Sequence, residues 1–389
     1  MHYPGSTSGE VFNNYSNNVA SGRFSHAEGL NNNAIGDMSH AEGVNNRADG
    51  LYSHTEGISS HTVNEACHAE GSGTTAAGMA SHAEGMATKS NGNYSHAEGL
   101  GPIASGSCSH AEGNYTTASG DYSHAEGYRT IASGSCSHAE GYRTEANGER
   151  SHAEGSYTTA SASYSHAEGE TTIASGNSSH AEGNNTEAKG NYSHAEGADT
   201  KANGRSSHAE GNYTTASGDY SHAEGRDTIA SGACSHAEGS GTIANGDYSH
   251  AEGYRTIANV DFSHAEGWST SANGIYSHAE GYITKASGRY SHAGGYHTIA
   301  NNSGETALGI FNLSQSGKTK DSSTLFSIGM GEANQQRNAI EVKANGDIYV
   351  YGIGNYNGRN SKGTVAWDSS IKTFQQIIQE IIDQTGISI

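Results

Sequence analysis

Histidine and glutamate recur in this chain at a fixed spacing that repeats the same chemical groups many times. Twenty histidines lie 14 residues apart from His26 to His292, and nineteen of them are followed two residues later by glutamate. Imidazole and carboxylate groups can transfer protons, pair as ions or bind metals. The elements that carry these residues decide among the three chemistries.

Serine, histidine and glutamate in the recurring string Ser-His-Ala-Glu-Gly suggest hydrolytic catalysis, but their placement argues against it. Ser109 and His110 are neighbours on a predicted strand and therefore point to opposite faces, so one coil cannot form a serine–histidine dyad. An active site also occurs once, whereas this string recurs along the chain. We predict that the chain is not an enzyme and has no catalytic residue.

The elements follow from the repeat between His110 and Ser123, which two glycines divide into two short segments. Glycine tolerates tight turns, so each unit predicts two strands of about five residues joined by corners. A strict short period indicates a solenoid. On the strands, Ser109, Ala111, Thr116 and Ala118 share the inward face, which predicts a narrow core of small side chains.

The histidines and glutamates then point outward and stack, with carboxylates ~4.8 Å apart that repel each other by roughly 1 kcal/mol even in water. A partner surface bearing histidine would relieve this repulsion, and another copy of the chain supplies one. We therefore expect a homotrimer with both columns at its axis. The predicted axial ladder comprises His110, Glu112, His124, Glu126, His138, Glu140, His152, Glu154, His166, Glu168, His194 and Glu196.

Two interpretations of this ladder remain open. In the first, histidine and glutamate of different chains form hydrogen bonds. In the second, three histidines surround a metal ion on the axis, and an anion is the other candidate ligand there. No other cofactor is expected. If the histidines are charged, their pKa is raised and their stabilisation is complete below about pH 6.5, whereas depressed glutamate pKa values stabilise above about pH 4.3. Stability would then peak at mildly acidic pH.

The period, the paired glycines and the Ser/Ala and Thr/Ala columns together resemble the repeats of YadA-like trimeric adhesin heads, which also occur in phage and prophage tail-fibre proteins. The resemblance covers about residues 11 to 304. It implies an all-β fold, a left-handed parallel β-roll of 14-residue coils assembled as a trimer. Family members carry apolar residues where this chain has His110 and Glu112, so the axial seam here is polar.

An aromatic and basic stripe follows the outer face and could contact a glycan, although isolated exposed aromatic residues need no such explanation. Its members are Tyr128, Arg129, Tyr142, Arg143, Tyr254, Arg255, Trp268 and Tyr282.

Composition excludes several classes of partner. The net charge is −21, and the nineteen column glutamates supply most of it, which argues against nucleic-acid binding. No apolar run is long enough for membrane insertion, and the start of the chain lacks the features of a signal peptide. Cys67, Cys108, Cys136 and Cys234 are too scattered for a disulfide framework, so we expect free and mostly buried thiols.

The pattern predicts four regions. They are an N-terminal segment with a degenerate capping coil at 1–24, in which residues 11–24 form the coil and Phe12 takes the histidine position; the roll at 25–304; a β-rich region at 305–367; and a short helix at 368–389. Strands are expected at Ala307–Phe311 and Leu325–Ile328, with a hairpin joining Ala339–Lys343 to Asp347–Tyr351. Ile371, Phe374, Ile378 and Ile381 have the spacing of a helix in a trimeric coiled coil.

The resemblance implies a structural and adhesive homotrimeric fibre, specifically a phage or prophage tail-fibre protein. Its partners would be its own copies, a host-cell receptor and other proteins of the particle, and its location a virion or an extracellular appendage. Two alternatives remain open: a bacterial trimeric surface adhesin, and a fibre whose C-terminal region cleaves itself during assembly.

Overall fold

The computed structural model describes residues 10–12, 17–314, 323–350, 372–373 and 379. These residues form an all-β parallel solenoid of about 21 coils of about 14 residues, followed by an antiparallel segment. The chain divides into two compact units, Met1–Ala202 and Asn203–Ile389. Each coil contributes one long and one short strand, and long strands pair with long strands in parallel. None of the described helical backbone is long and apolar enough to cross a membrane.

The long strands of the first unit are Glu10–Phe12, His26–Leu30, His40–Val44, His54–Ile58, His68–Ser72, His82–Met86, His96–Leu100, His110–Asn114, His124–Tyr128, His138–Tyr142, His152–Ser156, His166–Glu170, His180–Asn184 and His194–Ala198. Its short strands are Val19–Ala20, Asn33–Ala34, Arg47–Ala48, His61–Thr62, Thr75–Ala76, Lys89–Ser90, Ile103–Ala104, Thr117–Ala118, Ile131–Ala132, Glu145–Ala146, Thr159–Ala160, Ile173–Ala174, Glu187–Ala188 and Lys201–Ala202.

The long strands of the second unit are His208–Asn212, His222–Arg226, His236–Ser240, His250–Tyr254, His264–Trp268, His278–Tyr282, His292–Tyr296, Thr306–Ile310 and Thr324–Met330. Its short strands are Thr215–Ala216, Ile229–Ala230, Ile243–Ala244, Ile257–Ala258, Ser271–Ala272, Lys285–Ala286 and Ile299–Ala300. Three further strands follow at Asn338–Lys343, Ile348–Val350 and Lys372–Thr373.

The core consists of the small side chains that the repeat predicts to point inward. Ala111 and Ala118 are fully buried, Thr116 is equally buried, and Ser109 is 1% exposed. The Ser109 hydroxyl donates a hydrogen bond of 2.7 Å to the Gly106 carbonyl, so the buried hydroxyl also closes the corner before the long strand. The same columns are buried from coil to coil, which confirms the prediction of a thin core.

The second strand of each coil is shorter than the five residues that the sequence predicted. In the coil of His110 it contains only Thr117 and Ala118. Tyr115 and Tyr122 lie on either side with φ of 56° and 57°, in the left-handed region, and each turns the chain out of the extended conformation. These corners use residues other than glycine, which the pattern of paired glycines did not indicate.

The two glycine columns of the roll differ in backbone conformation. Gly127 has φ of 106°, and the glycines at this position share such values from 95° to 118°. Gly120 lacks a positive φ, but a Cβ there would lie 2.0 Å from the Gly134 carbonyl oxygen of the next coil. Both glycines therefore permit the close approach of successive coils, since a Cβ at Gly127 would lie 2.3 Å from the Gly141 carbonyl oxygen, and Gly127 in addition permits an unusual backbone conformation.

The ends of the solenoid differ from the sequence prediction in register and extent. Phe12 pairs with Glu28 rather than with His26, although Val19–Ala20 pairs with Asn33–Ala34 as the repeat requires. Two residues are therefore added between the first strand and the repeat. At the other end Thr306–Ile310 pairs in parallel with His292–Tyr296, so the parallel pairing extends a few residues past Gly304, near which the roll was predicted to end.

The strands predicted after the roll are confirmed as Thr306–Ile310 and Thr324–Met330, and Asn338–Lys343 forms the predicted hairpin with Ile348–Val350. The predicted helix at 368–389 is wrong at its beginning, because Lys372–Thr373 is a strand that pairs antiparallel with Tyr349 and Val350. Gln379 has helical backbone, and the rest of that segment lies outside the described residues.

Candidate functional site: the histidine and glutamate columns

The histidine rings stack along the long strands, from His40 to His194 in the first unit and from His208 to His292 in the second. Centroids of His68 and His82 lie 4.8 Å apart with an interplanar angle of 3°, and His236 and His250 have the same separation at 10°. The register causes this stacking, because each histidine pairs with the histidine of the next coil. Each ring remains about one third exposed, as for His82 at 35%. The stack thus lies on the surface of the single chain.

Most glutamates of the column lie beside the histidine two residues before them on the same face of the strand. The distance from His96 Nε2 to Glu98 Oε2 is 3.6 Å, and from His166 Nε2 to Glu168 Oε2 it is 3.7 Å. Such distances permit electrostatic attraction but exceed the range of a hydrogen bond. A histidine near the far end differs, since His292 Nε2 lies 3.2 Å from Glu280 Oε1.

Within the described chain, the Nε2 atoms of His82, His96 and His166 are buried and have no hydrogen-bond partner. A buried polar atom without a partner costs about 1–3 kcal/mol relative to one that is satisfied. These Nε2 atoms, on the side of the histidine column that faces the glutamates, are therefore available to bind a ligand or a partner molecule.

Burial lowers the pKa of several column histidines, and the neighbouring imidazoles lower it further. This holds for His40, His54, His82, His124, His152, His166, His180, His236 and His264. The hypothesis that the histidines of the ladder are charged required raised pKa values instead. In the single chain these histidines favour the neutral form.

Hydrogen bonds between neighbouring glutamates shift the pKa values of some members of the column in opposite directions. A hydrogen bond with Glu56 raises the pKa of Glu70 to about 7, and one with Glu182 raises the pKa of Glu168 to about 7. The accepting neighbour changes in the other direction, as hydrogen bonds with Glu70 and Glu42 lower the pKa of Glu56. Hydrogen bonding between carboxyl groups of one chain reduces the repulsion between them. This was not predicted from the sequence, where only a partner chain was considered.

Grooves run beside the glutamate column, where the adjoining column contains only glycine. One has a volume of about 880 Å³ and is lined by Glu28, Glu42, Glu56 and Glu70 with glycines beside them. Another, of about 430 Å³, is lined by residues that include Glu140, Glu154 and Glu168. The carboxylates are therefore accessible to an ion or to the side chains of another molecule.

The structure brings all twelve residues of the predicted ladder onto one face within the first unit, from His110 and Glu112 to His194 and Glu196. They belong to single-chain stacks in which histidine follows histidine. Their predicted position at a threefold axis stays a prediction.

The aromatic stripe also forms stacks. The rings of Tyr128 and Tyr142 are 5.1 Å apart at 6°, with Arg129 5.4 Å from the Tyr128 centroid. In the second unit Tyr254, Trp268 and Tyr282 stack in succession. Because neighbouring rings cover each other's faces, the stripe presents ring edges and hydroxyl groups to a ligand rather than open ring faces. The remaining predicted members are Arg143, 5.5 Å from the Tyr142 ring, and Arg255, 5.2 Å from the Tyr254 ring.

Two groups of polar residues within the core were missed by the sequence analysis. In the first coils Asn32 and Asn46 occupy the threonine position, and the Asn46 amide N–H donates a hydrogen bond of 2.8 Å to Asn32 Oδ1. Near the end of the roll Glu305 occupies the serine position, is fully buried and accepts 2.8 Å hydrogen bonds from the Asn301 and Asn302 amides. The signal was present, since each residue departs from the repeat at an inward position.

The cysteines correct another expectation. All four are free, but Cys67 is buried whereas Cys108, Cys136 and Cys234 are exposed. The last three take the left-handed corner position, with Cys108 at φ of 56°, and this corner points to solvent. Spacing alone did not distinguish this corner from the core.

Neither the comparison with protein families nor the comparison with curated proteins finds a match to this chain.

Proposed function

We propose that this chain is a structural and adhesive subunit of a homotrimeric fibre, of the kind that phage and prophage particles carry as tail fibres. The observation that carries the proposal is the uniform histidine and glutamate face, which remains about one third exposed in a single chain. A solvated face has no reason to retain the same residue pair through so many coils. Contact with identical chains gives each pair a structural role.

Trimer formation around the left-handed roll of the resembled family would bring three such faces together. The unpartnered Nε2 atoms would then lie near carboxylates of neighbouring chains, which can accept or share their protons. The small buried core of each coil supports this arrangement, because a thin roll gains much from burying one of its faces.

The outer surface would carry the adhesive function. Tyr142 and Tyr254, each with an arginine at its ring, offer hydroxyl and guanidinium donors suited to the hydroxyl groups of a glycan on the host cell. Three copies on one fibre would strengthen weak individual contacts through multivalency. Attachment to other proteins of the particle belongs to the same proposal.

Sedimentation equilibrium tests the assembly. We expect a mass three times the chain mass of 40.3 kDa. A variant with Glu112, Glu126, Glu140 and Glu154 changed to lysine should dissociate, because it places buried cations against the opposing histidine and lysine groups. A matched variant with lysine at Thr117, Ile131, Glu145 and Thr159, on the outward face of the short strands, should keep the trimer. Circular dichroism verifies that both variants are folded.

A monomeric wild-type chain contradicts the trimer, and so does a trimer that tolerates the first variant as well as the second. Binding to host cells and to a glycan array tests adhesion separately. Tyr142→Ala together with Tyr254→Ala should weaken that binding at unchanged mass, and unchanged binding removes the stripe from the proposal.

A further inference from the structure

We propose that the histidine and glutamate columns bind divalent transition-metal ions, each held by the Nε2 atoms of two successive histidines and a carboxylate oxygen of the glutamate between them. A single chain forms this site, so the inference goes beyond the proposed fibre function and does not depend on the trimer. The repeat would make the column a row of equivalent sites rather than one metal centre.

The geometry brings three ligand atoms together at many steps of the column. In the groups His68–Glu70–His82 and His166–Glu168–His180, one ligand atom of each residue lies within 4.8 Å of the other two. Zinc binds imidazole nitrogen at about 2.0–2.1 Å, so two nitrogens of one site must lie within about 4.2 Å of each other. The two rings therefore tilt toward each other on binding, which their surface position allows because the His82 side chain is 35% exposed.

The ligand chemistry favours transition metals over alkaline-earth ions. Neutral imidazole with carboxylate suits zinc, nickel, cobalt and copper, whereas calcium and magnesium prefer oxygen ligands alone. The groove along Glu42, Glu56 and Glu70 gives ions and their waters access to the carboxylates.

A divalent cation would also compensate the negative charges that stack along the glutamate column, where Glu70 and Glu84 lie side by side on paired strands. It would also satisfy the Nε2 atoms that have no hydrogen-bond partner, such as those of His82 and His166.

The sharing of histidines fixes the stoichiometry. The groups His68–Glu70–His82 and His82–Glu84–His96 overlap at His82, and one Nε2 lone pair can bind only one ion. Neighbouring sites thus exclude each other, and the column should bind about one ion for every two coils. The thirteen histidines from His26 to His194 would form six pairs, and the seven from His208 to His292 would form three.

Two variants of the full chain with equal numbers of substitutions test the pairing. The alternate variant replaces six histidines with glutamine and leaves no two neighbours in the first unit: His40, His68, His96, His124, His152 and His180. The contiguous variant replaces six successive histidines and leaves neighbouring pairs on both sides: His96, His110, His124, His138, His152 and His166. Both retain every glutamate and all histidines of the second unit, and circular dichroism establishes that they are folded.

Bound ions are counted by elemental analysis after equilibration with Zn²⁺ and dialysis, and Co²⁺ absorption reports nitrogen ligation. We expect the alternate variant to retain about one third of the wild-type ions and the contiguous variant about two thirds. Mg²⁺ should bind at least about tenfold more weakly than Zn²⁺. Equal losses in the two variants would show that single histidines bind the ions and would overturn the paired site. A wild-type chain that retains no Zn²⁺ overturns the proposal outright.

Discussion

Replacement of Gly127 by alanine should destabilise the roll far more than the same change at Gly73. Gly127 has φ of 106°, which an L-residue adopts only at a cost of about 1–3 kcal/mol. Its added Cβ would lie 2.3 Å from the Gly141 carbonyl oxygen of the next coil and 3.0 Å from the Gly141 nitrogen. The first contact is about 1 Å shorter than non-bonded atoms tolerate, so the two coils must separate.

Separation weakens the hydrogen bonds beside the contact, among them the 2.8 Å bond that the Arg143 amide donates to the Tyr128 carbonyl. Loss of two such bonds costs about 2 kcal/mol, and with the backbone strain the total is about 3–5 kcal/mol. Because a repeat protein can open locally, hydrogen exchange of the Tyr128 and Arg143 amides measures the effect more directly than global unfolding. Both amides should exchange at least about a hundredfold faster.

The chain supplies a matched control in Gly73. It has φ of 66° with no atom within 4 Å of a built Cβ, and Ala87 takes the same position in the next coil at φ of 57°. Gly73→Ala should change the free energy of unfolding by less than about 1 kcal/mol. Gly120→Ala should fall between the two, since Ala162 occupies that position three coils later. Equal exchange rates in Gly127→Ala and Gly73→Ala would refute the reasoning from backbone contact.

Three further outcomes follow from the site and the core. Burial lowers the pKa of His82, His124, His152 and His166. Their contribution to stability is therefore complete above the unfolded pKa near ~6.5 and is lost as the pH falls through the folded pKa. A variant with glutamine at these four positions should show a smaller drop in melting temperature than the wild type between pH 7.5 and 5. A thiol reagent should label Cys108, Cys136 and Cys234 in the native chain and label Cys67 only after unfolding, as mass spectrometry of peptides can verify. Glu305→Ala should cost about 2–4 kcal/mol in urea unfolding, because it removes the buried carboxylate that accepts hydrogen bonds from the Asn301 and Asn302 amides, whereas Glu305→Gln, which keeps an acceptor oxygen, should cost less than half as much.

The period and the pattern of small residues were sufficient to predict the interior of the coil. Alternation along the strand placed Ser109 and Ala111 inside and His110 outside, because strand geometry leaves no other arrangement. The length of the short strand was not predictable in the same way. It depends on the left-handed conformations of Tyr115 and Tyr122, and tyrosine has no strong preference for that region of backbone space.

The candidate site was predictable in its membership but not in its electrostatics. The strand register places histidine beside histidine, as the repeat predicts. From the sequence, however, the repulsion between the glutamates was expected to be relieved only by the histidines of a partner chain. Whether carboxylates share protons depends on side-chain distances within one column, as for Glu70 and Glu56, and spacing alone does not give those distances. The register shift at Phe12 likewise depends on a non-repeating segment for which the period carries no information.

Pairing of each coil with equivalent residues of the next has a consequence for how such a gene can change length. Within each unit Ala111 lies on Ala125, and Gly113 on Gly127, so a duplicated or deleted stretch of 14 codons leaves every remaining neighbour with the partner type it had before. Unequal recombination between the near-identical repeats would therefore produce longer and shorter chains that fold by the same contacts. Such a gene can change the number of coils in its product by whole repeats, and each intermediate chain still folds.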